Sequence, residues 1–184
     1  MLVALAAILS ISFTTAQVGI QAGFSSNKSN LKNSESINGF HVGPIYNMSI
    51  QGPISLQYGL LYNYLTRSTT IFGVTGTSSQ HIVDIPVRVA ASFPLESGIS
   101  AFAFGGPNCS LGGPSTVKSG STSVNMYDDD DLSRFNLQLG LGAGLQYNNM
   151  GLKFSYDFGM LDMHKSDLIN YKVNGMKVGL FYNF

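Results

Sequence analysis

Residues 135–147 read Phe-Asn-Leu-Gln-Leu-Gly-Leu-Gly-Ala-Gly-Leu-Gln-Tyr. The odd positions, Phe135, Leu137, Leu139, Leu141, Ala143, Leu145 and Tyr147, are all apolar or aromatic. The even positions, Asn136, Gln138, Gly140, Gly142, Gly144 and Gln146, are all small or polar. A period of two residues with two chemically different faces is the signature of a β-strand between two different solvents. Residues 150–160 repeat it, with Leu152, Phe154, Tyr156 and Phe158 on one face and Gly151, Lys153, Ser155 and Asp157 on the other. Residues 176–184 do so again, with Met176, Val178, Leu180, Tyr182 and Phe184 against Lys177, Gly179, Phe181 and Asn183.

Working back toward the N-terminus, Val18, Ile20, Ala22 and Phe24 alternate with Gly19, Gln21, Gly23 and Ser25. Residues 39–50 and the tyrosine-rich 54–66 give two further strands. Val83, Ile85, Val87, Val89 and Phe93 share a face opposite Asp84, Pro86, Arg88 and Ser92. In residues 99–111, Phe102 and Phe104 stand opposite Ile99, Ala101 and Ala103, and the pattern leaves the register of that strand open. The connections alternate long and short. Short turns fall at 51–53, 94–98 and 148–149, while Ser-, Thr-, Asn-, Gly- and Asp-rich loops fall at about 27–38, 67–80, 112–133 and 162–171. The expectation is an all-β, eight-stranded antiparallel up-and-down transmembrane β-barrel, with tight turns and both termini in the periplasm and the long loops outside.

Composition supports the membrane. Lys, Arg, Asp and Glu make up 11% of the 184 residues, against roughly 25% in soluble domains. No apolar run beyond the N-terminal region is long enough for a spanning helix, so a closed barrel, which pairs every backbone group between strands, is the remaining way across. A soluble lipocalin-like barrel would carry Lys and Glu on its outward face, whereas the polar face here is mostly Gly, Ser, Asn and Gln. Such residues suit the cramped interior of an eight-strand barrel. Phe135, Tyr147, Tyr62, Tyr64, Tyr182 and Phe184 gather at the ends of the apolar face, where interfacial girdles lie.

Residues 1–16 read as a signal peptide. Residues 2–13 form its apolar region, Thr14-Thr15-Ala16 offers a cleavage site, and maturation would begin at Gln17, leaving 17–184 as the barrel domain. No Lys or Arg precedes Lys28, so the usual positive n-region is missing, which predicts a start codon several residues further upstream.

Several stretches together resemble the bacterial outer-membrane β-barrel domain family, small eight-stranded barrels often labelled "porin family protein". They are VGIQAGF (18–24), GFHVGPIY (39–46), ISLQYGLLYNY (54–64), HIVDIPVRVAASFPLESGISAFAFGGP (81–107), LQLGLGAGLQY (137–147), GLKFSYDFGMLD (151–162) and MKVGLFYNF (176–184). The Asp84-Ile85-Pro86 element matches a pattern common in that family's fourth strand. The terminal alternation of Leu180, Tyr182 and Phe184 resembles the C-terminal signal read by the outer-membrane insertion machinery. The resemblance implies fold and outer-membrane location, with outer-membrane lipid and that machinery as partners, and carries no catalytic residues.

The remaining chemistry is sparse. Formal net charge is zero, so there is no basic footprint for nucleic acid. Cys109 is the single cysteine and has no partner for a disulfide. His41, His81 and His164 map near the extracellular strand ends or in a long loop, and no nucleophile motif frames any serine, so neither enzymatic activity nor a cofactor is expected. Asp128–Asp131 lacks the ligand order of a calcium loop and reads as a solvated acidic segment, with no metal expected. Five charged residues fall inside strand spans on the polar register: Asp84, Arg88, Lys153, Asp157 and Lys177. Facing lipid, a Lys or Arg would cost about 2–4 kcal/mol at the midplane, so all five are expected inside. There Asp157 should pair with Lys177, with Arg88 or Lys153 completing a network that plugs the lumen. A surface or structural role, or binding of an extracellular ligand through loops whose composition does not name it, ranks ahead of a narrow or gated pore. A rim-located enzyme ranks third.

Overall fold

The computed structural model describes residues 16–71, 74–119, 122–125, 132–164 and 170–184. Of the signal peptide expected at residues 1–16, residues 1–15 lie outside them, as does the acidic run Asp128–Asp131. The described residues form ten strands: β1 (Ala16–Ser29), β2 (Ile37–Gln51), β3 (Ile54–Gly59), β4 (Leu61–Ile71), β5 (Val74–Pro94), β6 (Ile99–Ser119), β7 (Thr122–Asn125), β8 (Phe135–Tyr147), β9 (Met150–Gly159) and β10 (Val173–Asn183).

The strands close into a ring in which every pairing is antiparallel. Neighbours along the chain pair around the wall, and β1 meets β10 from Gly19↔Asn183 to Ser29↔Val173. β3 and β4 are two lengths of one wall strand, since both face β2 and β5 in continuous register. The break falls at Leu60, whose N–H donates to the Pro44 carbonyl at 3.0 Å while proline has no N–H to return. β7 pairs only with the end of β6 and forms a hairpin tip outside the ring. The wall therefore has eight strands.

Packing is inside-out. Among the described residues, the buried side chains include fifteen polar or charged ones against seven apolar ones. The exposed set includes Val18, Ile20, Phe24, Leu139, Leu141, Leu145, Leu152, Phe154, Phe158 and Leu180, the apolar faces of their strands. Such an outer surface is stable only against an apolar solvent. Aromatic residues mark both levels of this band. Tyr46 stacks on Tyr58 and Tyr182 meets Phe184 edge-on nearer the turns, while Phe40, Tyr62 and Tyr64 sit toward the loops.

The register of β6 is now defined: Phe102 and Phe104 point inward and are buried, with Ala101 and Ala103 outward. They fit because Gly144 and Gly142 of β8 stand directly opposite, and a Cβ on either glycine would land on the facing ring. Phe181 of β10 lies over Gly151 of β9 in the same way.

The loop boundaries need correction. Strand β4 continues to Ile71 and β5 begins at Val74, so the stretch 67–80 expected as loop is mostly a paired ladder. β6 likewise runs on to Ser119. Beyond the apolar band both faces meet water, so alternation fades while pairing persists. Cross-strand contacts such as Ser68 Oγ to Thr77 Oγ1, 3.1 Å, hold the extension. At the other end, turns are tight, with positive φ at Gly52 (56°) and Asn148 (51°).

Candidate functional site

The lumen has three levels: a cup at the loop end, a charged constriction, and a vestibule at the turn end. At the constriction Arg88 of β5 reaches across to the Asp157 carboxylate of β9, and its other terminal nitrogen donates to the Gly106 carbonyl. That carbonyl lies where the β5–β6 ladder is interrupted beside Pro86 and Pro107. Lys177 of β10 donates to Asp84 at 2.8 Å and to Asp157 at 3.4 Å. Asp84 also accepts from Asn63 Nδ2 (3.0 Å) and Ser110 Oγ (2.5 Å). Asp84, Arg88, Asp157 and Lys177 are all buried. The free space among them is about 30 Å³, room for roughly two waters and too little for a hydrated solute.

Lys153, the fifth charge of the polar register, lies apart from these ion pairs. Its ammonium donates to Gln57 Oε1 at 3.1 Å and sits 4.3 Å from the centroid of the Phe104 ring.

His41 lies in the loop-side part of β2, four residues from Ile37, and it is wholly buried inside the barrel because it shares the inward register of β2 with Gly39 and Gly43. Gln21 Nε2 lies 2.9 Å from His41 Nε2, Ser25 Oγ lies 2.9 Å from His41 Nδ1, and Ser25 Oγ lies 3.0 Å from Asn63 Oδ1. Only one proton arrangement satisfies all four side chains. Gln21 donates to Nε2, Nδ1–H donates to Ser25, Ser25 donates to Asn63, and Asn63 donates to Asp84. Every donor in this chain points toward one carboxylate. Ser25 and His41 touch, yet the imidazole is the donor and cannot act as the serine's base. Sequence reading missed this chain, although Gln21, Ser25, His41 and Asn63 all sit on inward registers that alternation marks.

His81 faces outward beside Tyr62, whose hydroxyl is 2.5 Å from its Nδ1, at a bulge in the β5–β6 ladder. His164 forms an isolated bridge with Leu132 at the loop end. Nearby, the Asp162 carboxylate accepts backbone N–H groups from Tyr171 (2.9 Å) and His164 (3.0 Å), which hold it below the usual carboxylate range. Cys109 is half-buried opposite Ile85 and Leu137. Among the described residues no group of three His, Cys, Asp or Glu could hold a metal.

The loop-end cup has a volume of about 600 Å³ and carries both signs of charge, with Lys28, Glu35, Arg67 and Arg134 in its lining. Glu35 pairs with Arg67 at 3.1 Å. Gln138 and Ser110 form its floor and connect it to the constriction, since Ser110 Oγ donates to Asp84 and lies 3.2 Å from Gln138 Oε1. The turn-end vestibule measures about 200 Å³. Outside the barrel, Leu180, Tyr182 and Phe184 continue the apolar face of β10, and Phe184 N–H bonds the Val18 carbonyl at 2.8 Å.

A family model described as an outer membrane protein beta-barrel domain matches residues 11–165. Among solved structures, the chain is similar to Neisserial surface protein A, at 15% identity over 92% of this chain and 99% of that one, with a TM-score of 0.54. It is also similar to the outer membrane enzyme PagL, at 14% identity over 90% of this chain and 98% of that one, with a TM-score of 0.55. At these identities the likeness is one of fold. No curated protein matches the sequence.

Proposed function

The chain belongs to the outer membrane protein β-barrel domain family, its place is the outer membrane, and from that premise we propose that it is a closed, non-catalytic barrel whose loop end meets other molecules. In this reading the short turns and both termini face the periplasm and the long hairpins face outward, the usual arrangement of such barrels. The observation that carries it is the constriction. Two ion pairs spanning the lumen, with about 30 Å³ of free space among them, leave no continuous water path of the kind that needs roughly sixteen strands.

Single-channel recording on the purified protein in planar bilayers tests this directly. The closed-barrel reading expects no steps above background, and steady ohmic conductance from the wild type would overturn it. A gated pore is the second reading, favoured by the two cavities that approach the constriction from either side. It expects Asp157→Asn, which removes the carboxylate shared by Arg88 and Lys177, to create conductance that the wild type lacks. For the non-catalytic part, Ser25→Ala and His41→Ala should leave unchanged any lipid hydrolysis measured with the purified barrel. A loss of hydrolysis specific to these variants would restore the enzyme reading.

A further inference from the structure

The charges lining the interior do not balance. Among the described residues Asp84 and Asp157 are matched by Arg88 and Lys177, and Lys153 is left over with no carboxylate partner. Its Nζ spends one of three N–H donors on Gln57 Oε1 and rests on the Phe104 ring, which keeps it at the boundary between the constriction and the turn-end vestibule. The lining of that vestibule contains no acidic residue, and Lys153 is its only charged one. Around it stand Gln17, Asn47, Ser55, Gln57, Gln146 and Asn183, side chains whose amides and hydroxyls can donate hydrogen bonds. Phe102 and Phe181 close one wall, meeting edge-to-face at 5.8 Å.

A cation with donors to spare, an enclosure of amides and hydroxyls, and a volume of about 200 Å³ match one ligand chemistry. We propose that the turn-end vestibule is a binding site for a small oxyanion, a carboxylate or phosphate group held on Lys153. The loop-end cup is a poorer candidate for such selectivity, because its lining carries both signs of charge. The constriction is excluded by its size. Charge-assisted hydrogen bonds from a lysine and neutral amides are the usual means of holding such groups away from bulk water, and the anion would supply the charge that the lumen lacks.

The test uses the full mature barrel in zwitterionic detergent, with inorganic phosphate, succinate and short-chain phosphatidic acid as separate probes, followed by calorimetry and by the chemical shift of the Lys153 Nζ-bearing methylene. Saturable binding of free phosphate or succinate that moves the Lys153 signal supports the proposal. Binding only of phosphatidic acid would move the source of the oxyanion to lipid, and the site stands if the same signal moves. Lys153→Arg should keep binding and Lys153→Met should weaken it about tenfold or more, the worth of one charge-assisted contact. Lys28→Gln, at the opposite end, should leave it unchanged. If Lys153→Met does not fold, the wild-type shift perturbation and Gln57→Ala carry the test. No saturable binding by any probe, or equal binding by Lys153→Met, overturns the site.

Discussion

The two halves of the wall solve the same problem differently. β8, β9 and β10 keep strict alternation, with glycine at 140, 142, 144, 151, 175 and 179 on the inner face. The half from β2 to β6 breaks its ladders at Pro44, Pro86 and Pro107, carries a bulge near His81, and sends Phe102 and Phe104 inward. The regular half is hollowed by its glycines, and the hollow is filled by Phe102 and Phe104 from the irregular half and by Phe181 of β10 from the regular half itself. An eight-strand lumen is barely wider than its side chains, so a large inward group on one strand requires its absence on the strand paired beside it. The halves are then tied across the lumen, since Arg88 and Asp84 of β5 pair with Asp157 of β9 and Lys177 of β10.

Cutting that tie should have the largest effect. Asp157→Asn strands Arg88 and weakens the hold on Lys177, and losing one partner of a buried pair costs about 3–5 kcal/mol. Urea unfolding in detergent should show the drop, and a midpoint equal to wild type would mean that the halves are not joined there. Filling the hollow should come next. Gly142→Val places methyl groups against the Phe104 ring and the Phe154 carbonyl, overpacking that costs about 1–3 kcal/mol. The same change at Gly76, near the hairpin end of β5 with no neighbour closer than 3.7 Å, should be far milder. Equal losses would deny the division of labour.

Ser25→Ala, on β1 beside the irregular half, interrupts the donor chain that runs through Asn63 to Asp84 and leaves the His41 N–H without its acceptor, for about 1 kcal/mol or somewhat more. Ser155→Ala, in the regular half, breaks none of the hydrogen bonds described above and should serve as the neutral counterpart; an equal loss there would erase the contrast. The smallest effect belongs to the loop end. The Asp162 carboxyl is held below its ordinary value by the Tyr171 and His164 amides, so these bonds are intact above the ordinary carboxylate pKa and fail as pH falls through the lowered one. Protection of the Tyr171 amide against exchange should fall on acidification in that window, with the barrel wall unchanged. Protection independent of pH would show that the turn does not need the charge.

The regular half was fully legible in the sequence, because one face of Phe135–Tyr147 is apolar without exception. Strand 99–111 was not, since phenylalanine satisfies lipid as well as it fills a lumen, and only the glycines opposite decide between them. Asp84, Arg88, Asp157 and Lys177 could be placed on inward registers from alternation alone. The pairing of Lys177 with Asp84 could not, because strand tilt sets which heights meet across the barrel. The burial of His41 was not legible for want of a register for β2, which Gly39 and Gly43 beside it would have supplied. The hairpin extensions at 67–80 and 112–119 hid because strands wetted on both faces lose the period that betrays them.

The seam between β1 and β10 joins the two ends of the chain, and this governs the order of assembly. Every other neighbour in the ring is available as soon as the next hairpin arrives, whereas this ladder must wait for the last strand. Lys177 rides on that strand, so Asp84 lacks its ammonium partner until β10 arrives. Closing so long a loop is slow, and a barrel halted one strand short would expose an unpaired edge and a carboxylate without its counterion together. The final strand thus completes the backbone ring and the interior charge balance of Asp84 in one event.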